Sequence, residues 1–244
     1  MLLALDSPVW NELECANGSG KDLPAMIQAV CDPALDDTKC KDAWSRVWDS
    51  LCRQDKVYSA TYAAVPHFAA FMPEASLVWK LELLLFLGRM LAYGALEGKP
   101  LSVKMVEGFS QVVDKVGSQS AVTISEVKKQ NLLSGYPTAN LAQAYLAIQF
   151  GCDPAVQLLQ SIIDKDLQIK VLCPGCDETN IVELDALKPS EADAQLPDDE
   201  SVSAGTKLAA ELDDPVLERR IAALRSNISC KSCNTEFSVY DGYL

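Results

Sequence analysis

Histidine is almost absent from this chain, and its scarcity limits the chemistry that the protein can perform. His67 is the only histidine among 244 residues. A Ser-His-Asp triad, or a metal site with imidazole ligands, would have to use this one residue. No GxSxG, P-loop or GxGxxG pattern occurs either. We therefore predict that the chain has no catalytic residues and is not an enzyme, and that His67 has a structural or surface role.

Long apolar runs without charged residues are also missing. The most apolar stretch, Leu77 to Leu96, contains Lys80, Glu82 and Arg89, a composition that favours a buried helix over a membrane span. The first residues, MLLALDSPVW, include no basic region, so they do not predict a secretory signal. Scattered cysteines in apolar helical patterns indicate buried thiols in a reducing compartment. We predict a cytoplasmic protein that makes no membrane contact. The scattered cysteines are Cys15, Cys31, Cys40, Cys52 and Cys152.

Basic residues are outnumbered by acidic ones. The sequence has 21 Lys and Arg against 34 Asp and Glu, which gives a formal net charge of -13. Such a surface repels nucleic-acid phosphates and favours a basic protein partner, although acidity also serves solubility alone. Adjacent carboxylates lie at predicted turns and helix caps, where they accept backbone N–H bonds. These pairs are Asp36 with Asp37, Asp198 with Asp199, and Asp213 with Asp214.

Helical patterns occupy the chain up to about residue 166. An apolar stripe at helical spacing is formed by Trp44, Val47, Trp48 and Leu51. We predict that it packs on the next helix, Val57 to Met72, and that this next helix bends at Pro66. Successive helix pairs favour a HEAT-type α-solenoid, with a compact irregular bundle as the alternative. Further helices are predicted at about 74–97, 102–116, 138–150 and 154–164, with a short first helix ending at Glu14. A polar connection is predicted from Gly117 to Gly135, with a short helix from Ile124 to Leu133 as an alternative within it.

Beyond Asp166 the pattern changes to alternation, and two CxxC dyads appear. Cys173 and Cys176 form the first dyad, and Cys230 and Cys233 form the second. Alternating apolar residues around each dyad predict a β-hairpin that carries a metal-binding turn. Two such dyads favour one structural zinc site with four thiolate ligands, one Zn2+ per chain, over disulfides or unrelated cysteines. Two hairpins that share one ion would form a zinc ribbon.

These patterns predict a mainly α protein with a small C-terminal β subdomain. Residues 1–166 form the predicted HEAT-like antiparallel helical domain, and residues 167–244 form the zinc ribbon. An insertion at about 186–226 interrupts the ribbon. Its first part, 188–205, is rich in Pro, Ser, Asp and Glu and is predicted to be a mobile acidic loop. A helix capped by Asp214, with Pro215 at its first position, is predicted to follow.

One segment resembles a known family. Residues 42–68, DAWSRVWDSLCRQDKVYSATYAAVPHF, resemble the pattern LW..L.HQG.VY.AS.AAVP of a group of bacterial HEAT-like proteins, and the N-terminal WNELE and GSGKDLP are similar to the same group. The resemblance covers roughly residues 5–75. It departs from the pattern at Arg53-Gln54-Asp55, where the group has His-Gln-Gly.

The resemblance implies a helical-repeat fold and an immunity protein, which binds a bacterial toxin and blocks it. The expected partner is therefore a toxin with a basic surface, and nucleic acid is an unlikely partner. The alternative hypothesis is a zinc-ribbon regulatory module that docks on nucleic acid or on the transcription machinery. That hypothesis depends on a local basic patch formed by Arg219, Arg220, Arg225 and Lys231.

Overall fold

The protein is described here from a computed structural model. The structure describes residues 2–32, 37–53, 56–73, 75–92, 102–151, 153–187 and 200–243, and for residues 37–40 it describes the backbone only. Within these ranges the chain is mainly α-helical and has four small antiparallel sheets of two strands each. The predicted fold class is confirmed at this level, and the HEAT-type solenoid stays a prediction. No helix within the described ranges is both long enough and apolar enough to cross a membrane.

The chain divides into two compact units, Met1–Leu132 and Leu133–Leu244. Helices α6 and α7, Thr138–Phe150 and Pro154–Ile163, therefore belong to the same compact unit as the cysteine dyads, although the predicted domain boundary lies after residue 166. The remaining helices of this unit are α8, Glu200–Glu211, α9, Pro215–Ala222, and α10, Val239–Gly242.

The N-terminal unit begins with a short 3-10 helix, Pro8–Asn11, that the Ser7 hydroxyl caps by accepting the Val9 N–H at 3.3 Å. The prediction of a helix through Glu14 is wrong. Glu14–Cys15 (β1) pairs instead with Gly18–Ser19 (β2), because Gly18 adopts a φ of 109° and turns the chain back. A second small hairpin joins β3, Cys52–Arg53, to β4, Lys56–Val57. The helices are α1, Leu23–Val30; α2, Asp37–Leu51; α3, Ser59–Phe71; α4, Leu77–Ala92; and α5, Val103–Lys129.

An aromatic cluster fills the core of this unit. Trp44 of α2 is buried and packs edge-on against Phe68 of α3 and Phe86 of α4, with ring centroids 5.3 Å apart in both pairs. Trp79 adds a third edge contact with Trp44 at 5.1 Å. The predicted packing of the α2 stripe on α3 is therefore confirmed. Pro66 lies inside α3, as the sequence predicts.

Helix α5 is longer than the sequence predicts. The prediction of a connection from Gly117 to Gly135 is wrong for most of its length, because one helix runs from Val103 to Lys129. Its buried face continues through Val116, Ser120 and Thr123 at helical spacing. Two of these buried positions carry small polar residues rather than apolar ones, so the apolar stripe that predicts a helix is interrupted in the sequence.

The prediction of a mobile loop over 188–205 also needs correction. Its first part, 188–199, lies outside the described residues, whereas residues 200–205 begin helix α8. Gly205 lets α8 approach its neighbours closely, since an added Cβ would lie 3.0 Å from Leu146 of α6 and 3.2 Å from Ile221 of α9. The first turns of α8 are therefore held by packing that local composition does not reveal.

Candidate metal centre

Each cysteine dyad lies in the turn of a β-hairpin. In the first hairpin, β5, Gln168–Leu172, pairs with β6, Thr179–Glu183, and in the second, β7, Asn227–Ser229, pairs with β8, Glu236–Ser238. The structure thus contains the two hairpins that the alternating patterns predict.

The two turns have the same local construction. The N–H of Cys173 donates to the Glu178 carbonyl, and the N–H of Cys230 donates to the Thr235 carbonyl, both at 2.9 Å. The residue after each second cysteine has a left-handed conformation, with a φ of 56° at Asp177 and 60° at Asn234. Asp and Asn tolerate this conformation better than other non-glycine residues. Each turn therefore curls its two thiols toward one point.

The four thiols meet in one cluster. The sulfurs of Cys173, Cys176, Cys230 and Cys233 all lie within 4.8 Å of one another, with 3.5 Å between Cys173 and Cys233 and 3.6 Å between Cys176 and Cys230. In a tetrahedral tetrathiolate site with metal–sulfur bonds of about 2.3 Å, the sulfurs lie about 3.8 Å apart. The cluster therefore has the donor type, number and spacing needed to hold a metal ion. Cys173 and Cys230 are buried, whereas Cys176 and Cys233 are exposed.

The thiols differ strongly in acidity. Hydrogen bonds from the backbone N–H groups of Cys233 and Ser232 lower the pKa of Cys230 to about 6. For Cys176, the backbone N–H of Glu178 favours the thiolate, but contact with the Cys233 thiol and burial outweigh it and raise the pKa to about 12. One thiolate in the cluster discourages the ionisation of its neighbours. A bound cation would remove this repulsion and stabilise all four thiolates together.

Two contacts that the sequence reasoning missed join the hairpins beside the sulfurs. The Asn180 side chain is buried, accepts the Lys231 N–H at 3.2 Å through Oδ1, and directs Nδ2 at the Cys230 sulfur at 3.8 Å. On the other side Gly175 faces Thr235, and an added Cβ at Gly175 would lie 2.7 Å from the Thr235 hydroxyl oxygen. The hairpins are therefore held together by their own polar groups as well as by any ion.

The helices of the C-terminal unit anchor the second hairpin through its tail. The Tyr240 hydroxyl donates to Asp153 Oδ2 at 2.8 Å, and the Tyr243 hydroxyl lies 3.1 Å from the Ser161 hydroxyl. Burial raises the pKa of Tyr243. Tyr243 also forms a β-bridge with Val171 of β5. Through these contacts the two tyrosines anchor the C-terminal tail.

The Asp153 side chain contacts several helices of the C-terminal unit. It caps α7 by accepting the Ala155 N–H at 2.8 Å. The same Oδ1 atom also accepts the Ser201 hydroxyl at 2.7 Å. With the Tyr240 bond on Oδ2, one carboxylate joins α7, α8 and α10.

Among the carboxylate pairs, Asp214 caps α9 as predicted by accepting the Leu217 N–H at 2.9 Å, and its other oxygen accepts the Thr138 hydroxyl. Burial opposes this charge, but the hydrogen bonds lower the pKa of Asp214 overall. The pair Asp198 and Asp199, Asp36, and the Asp37 side chain lie outside the described residues.

The predicted basic patch is partly neutralised. Arg220 forms a two-point ion pair with Asp185, with both N–O distances 2.9 Å, and this contact lowers the pKa of Asp185. Arg225 donates to the Ser203 hydroxyl, whereas Arg219 and Lys231 are exposed.

His67 and the remaining cysteines lie outside the thiol cluster. His67 is half-buried, and its Nε2 lies 2.8 Å from the Leu3 carbonyl oxygen. Burial lowers the pKa of His67, although the Leu3 contact opposes the shift. Cys15 and Cys52 are buried and Cys31 is half-buried, while the Cys40 side chain and Cys152 lie outside the described residues.

A comparison with known protein families, curated proteins and solved structures finds no match for the chain. The resemblance of residues 42–68 to HEAT-like proteins therefore rests on the residues quoted for it.

Proposed function

We propose that this chain is a non-catalytic, cytoplasmic protein that binds and neutralises a bacterial toxin, and that one structural Zn2+ ion holds its C-terminal hairpins. The observation that carries the proposal is the net charge of -13 on a mainly helical chain. A partner with a basic surface would be attracted to such a chain over a distance of about 10 Å at ordinary salt concentrations.

The residues that match the family pattern bear on how the helices pack, and they do not identify the surface that binds the partner. Leu51, Val57 and Ala64 match the shared pattern, and all three are buried. Buried residues of this kind specify packing. The partner must therefore contact other residues, and exposed carboxylates are the candidates that the charge argument favours.

Zinc is the metal proposed for the four thiols because it accepts a tetrahedral tetrathiolate shell and has no redox chemistry of its own. Four protein ligands fill that shell, so they leave no position for a water or substrate molecule. In this role the metal stabilises the fold and does not react.

The test starts with the tagged chain expressed in its native host. We expect a stable complex whose partner, expressed alone in a sensitive strain, stops growth, and we expect co-expression of this chain to restore growth. A partner that is harmless alone, or whose toxicity is unchanged by co-expression, would refute the proposal. An acidic protein of similar size and charge is the control for non-specific neutralisation.

Paired charge variants test the role of the acidic surface once the partner is known. Asp42 and Asp49 are exposed on α2, and Asp177 and Glu178 are exposed beside the metal site. Neutralising one pair at a time to Asn or Gln should slow association about tenfold at low salt for the pair that faces the toxin, and should leave the other pair near the wild-type rate. If no neutralised carboxylate on the chain slows association, charge does not guide the encounter.

A further inference from the structure

The N-terminal unit contains a cavity of about 720 Å³ that the protein-binding proposal does not use. Three stretches of chain form its walls. The residues before the first 3-10 helix include Leu3 and Ala4, helix α3 contributes Tyr62 and Pro66, and helix α5 contributes Met105. Cavities that bind small molecules have volumes of about 300–1,000 Å³ and mostly apolar linings. This cavity has both properties.

Side chains of the core fix the N-terminal wall in place. His67 Nε2 lies 2.8 Å from the Leu3 carbonyl oxygen, and the Trp10 indole N–H donates to the Ala4 carbonyl at 3.0 Å. Trp10 is 2% exposed, and its ring lies 6.2 Å from that of His67. The side chains of His67 and Trp10 thus fix the backbone of Leu3 and Ala4 through their carbonyl groups. The only histidine of the chain serves to position one side of the cavity.

Tyr62 supplies a hydroxyl group to the mostly apolar lining. Its side chain is 5% exposed, and its ring packs 5.2 Å from that of Phe109. Among the described residues, no group forms a hydrogen bond with the Tyr62 hydroxyl, and burial raises its pKa. The hydroxyl therefore keeps its hydrogen-bonding capacity, and a molecule in the cavity that offers a hydrogen bond to it would gain affinity.

Charged residues at the cavity do not select for a charged ligand. Glu12 and Lys104 both contribute to the lining, both are exposed, and their charges cancel. A ligand that carries a charge would also lose hydration when it entered the apolar interior. Both effects favour an uncharged molecule.

From these observations we infer that the cavity binds an uncharged, mainly apolar small molecule, which is oriented by one hydrogen bond to the Tyr62 hydroxyl. The inference does not depend on the identity of a protein partner.

The first experiment titrates the full-length, zinc-loaded protein with N-phenyl-1-naphthylamine, a neutral apolar probe that has one N–H group. We expect saturable binding with one site per chain. Met105→Trp should fill the cavity and reduce affinity at least about tenfold. Val103→Trp is the matched control, because Val103 lies on the same helix, is 74% exposed and does not line the cavity. The control variant should bind like the wild type.

A second filling variant guards against misfolding of the first. Ala4→Trp adds bulk from the wall formed by the residues before the first 3-10 helix. Circular dichroism and thermal unfolding show which variants are folded. If both filling variants are folded and still bind the probe like the wild type, or if the wild type shows no saturable site, the inference is overturned.

The hydrogen bond has its own test. Tyr62→Phe keeps the ring and removes the hydroxyl, so affinity for N-phenyl-1-naphthylamine should fall about three- to tenfold. Affinity for 1-phenylnaphthalene, which lacks the N–H group, should not fall. An equal change for the two probes would show that Tyr62 acts through shape alone and would overturn its assigned role.

Discussion

Removal of the proposed zinc ion is the most direct perturbation of the C-terminal unit. Structural zinc sites contribute about 10–16 kcal/mol of apparent binding free energy at neutral pH. This is comparable to the whole stability of a typical domain, about 5–15 kcal/mol. The four sulfurs lie within 4.8 Å of one another and bind the ion as thiolates, so the two turns that carry them are expected to lose their order when the ion is removed.

Helices of the same unit should survive this treatment. The strands have only five residues each in the first hairpin and three each in the second. In contrast, α8 packs on α6 and α9 through side chains such as Leu146 and Ile221, both fully buried. Far-UV circular dichroism should therefore change little on chelation, while the hairpins lose their protection from exchange.

Hydrogen exchange measured by mass spectrometry on the zinc-loaded and chelated protein distinguishes these outcomes. Peptides that cover β5 to β8 should exchange faster after chelation, and peptides from α6 and α8 should not. Cys173→Ser should reproduce the chelated pattern. Cys15→Ser, at a buried thiol of the other unit, is the control and should retain one zinc ion per chain. Purified wild-type protein with no stoichiometric zinc, or chelation with no effect on the hairpins, would refute the reasoning.

Two further predictions concern single side chains. Asp153→Ala removes the cap of α7 and the acceptor of the Tyr240 hydroxyl, so it should lower the free energy of unfolding by about 2–3 kcal/mol in urea titrations. Asp164→Ala, at an exposed position, is the control and should lower it by less than about 0.5 kcal/mol. An equal effect of the two substitutions would contradict the role of Asp153. Burial lowers the pKa of His67 below 6.5, so the folded zinc-loaded protein binds a proton at this imidazole less tightly than the unfolded chain does. The free energy of unfolding should therefore fall as the pH drops through about 6.5, and it should level off below the pKa of His67 in the folded state. His67→Gln should reduce this slope between pH 7 and about 5.5, and an unchanged slope would show that other groups cause it.

The cluster of four cysteines was predictable because its signals are local. A CxxC dyad fixes two thiols in one turn, and alternation on both sides of the dyad predicts the hairpin around it. The register of β6 was less predictable. Asn180 points inward while the neighbouring Ile181 is 57% exposed, which inverts the usual placement of polar and apolar residues. The reason is a contact with Lys231 across the site, and only the folded structure reveals that partner.

The predicted helix boundaries were wrong where buried positions of a helix carry polar residues. Ser120 and Thr123 of α5 are buried, and Ser201 of α8 is 2% exposed, although all three residues are polar. The Ser201 hydroxyl is satisfied by Asp153, which lies 48 residues earlier in the chain. Serine is common in loops and caps, so composition predicts irregular structure at such positions. A distant hydrogen-bond acceptor makes the helical conformation favourable instead.

The contacts of α8 and α9 also change the role expected of the metal. Cys176 and Cys230 are separated by 54 residues, and closing a flexible loop of that length would cost about 3.5 kcal/mol in its length-dependent part. Here much of the closure is achieved without the ion, because Ser201 bonds to Asp153 and Arg220 pairs with Asp185 just after β6. The proposed ion would therefore join hairpins that the helices already hold near each other. Its binding energy would go mainly into ordering the two turns, so chelation should disorder the hairpins and leave the helices folded.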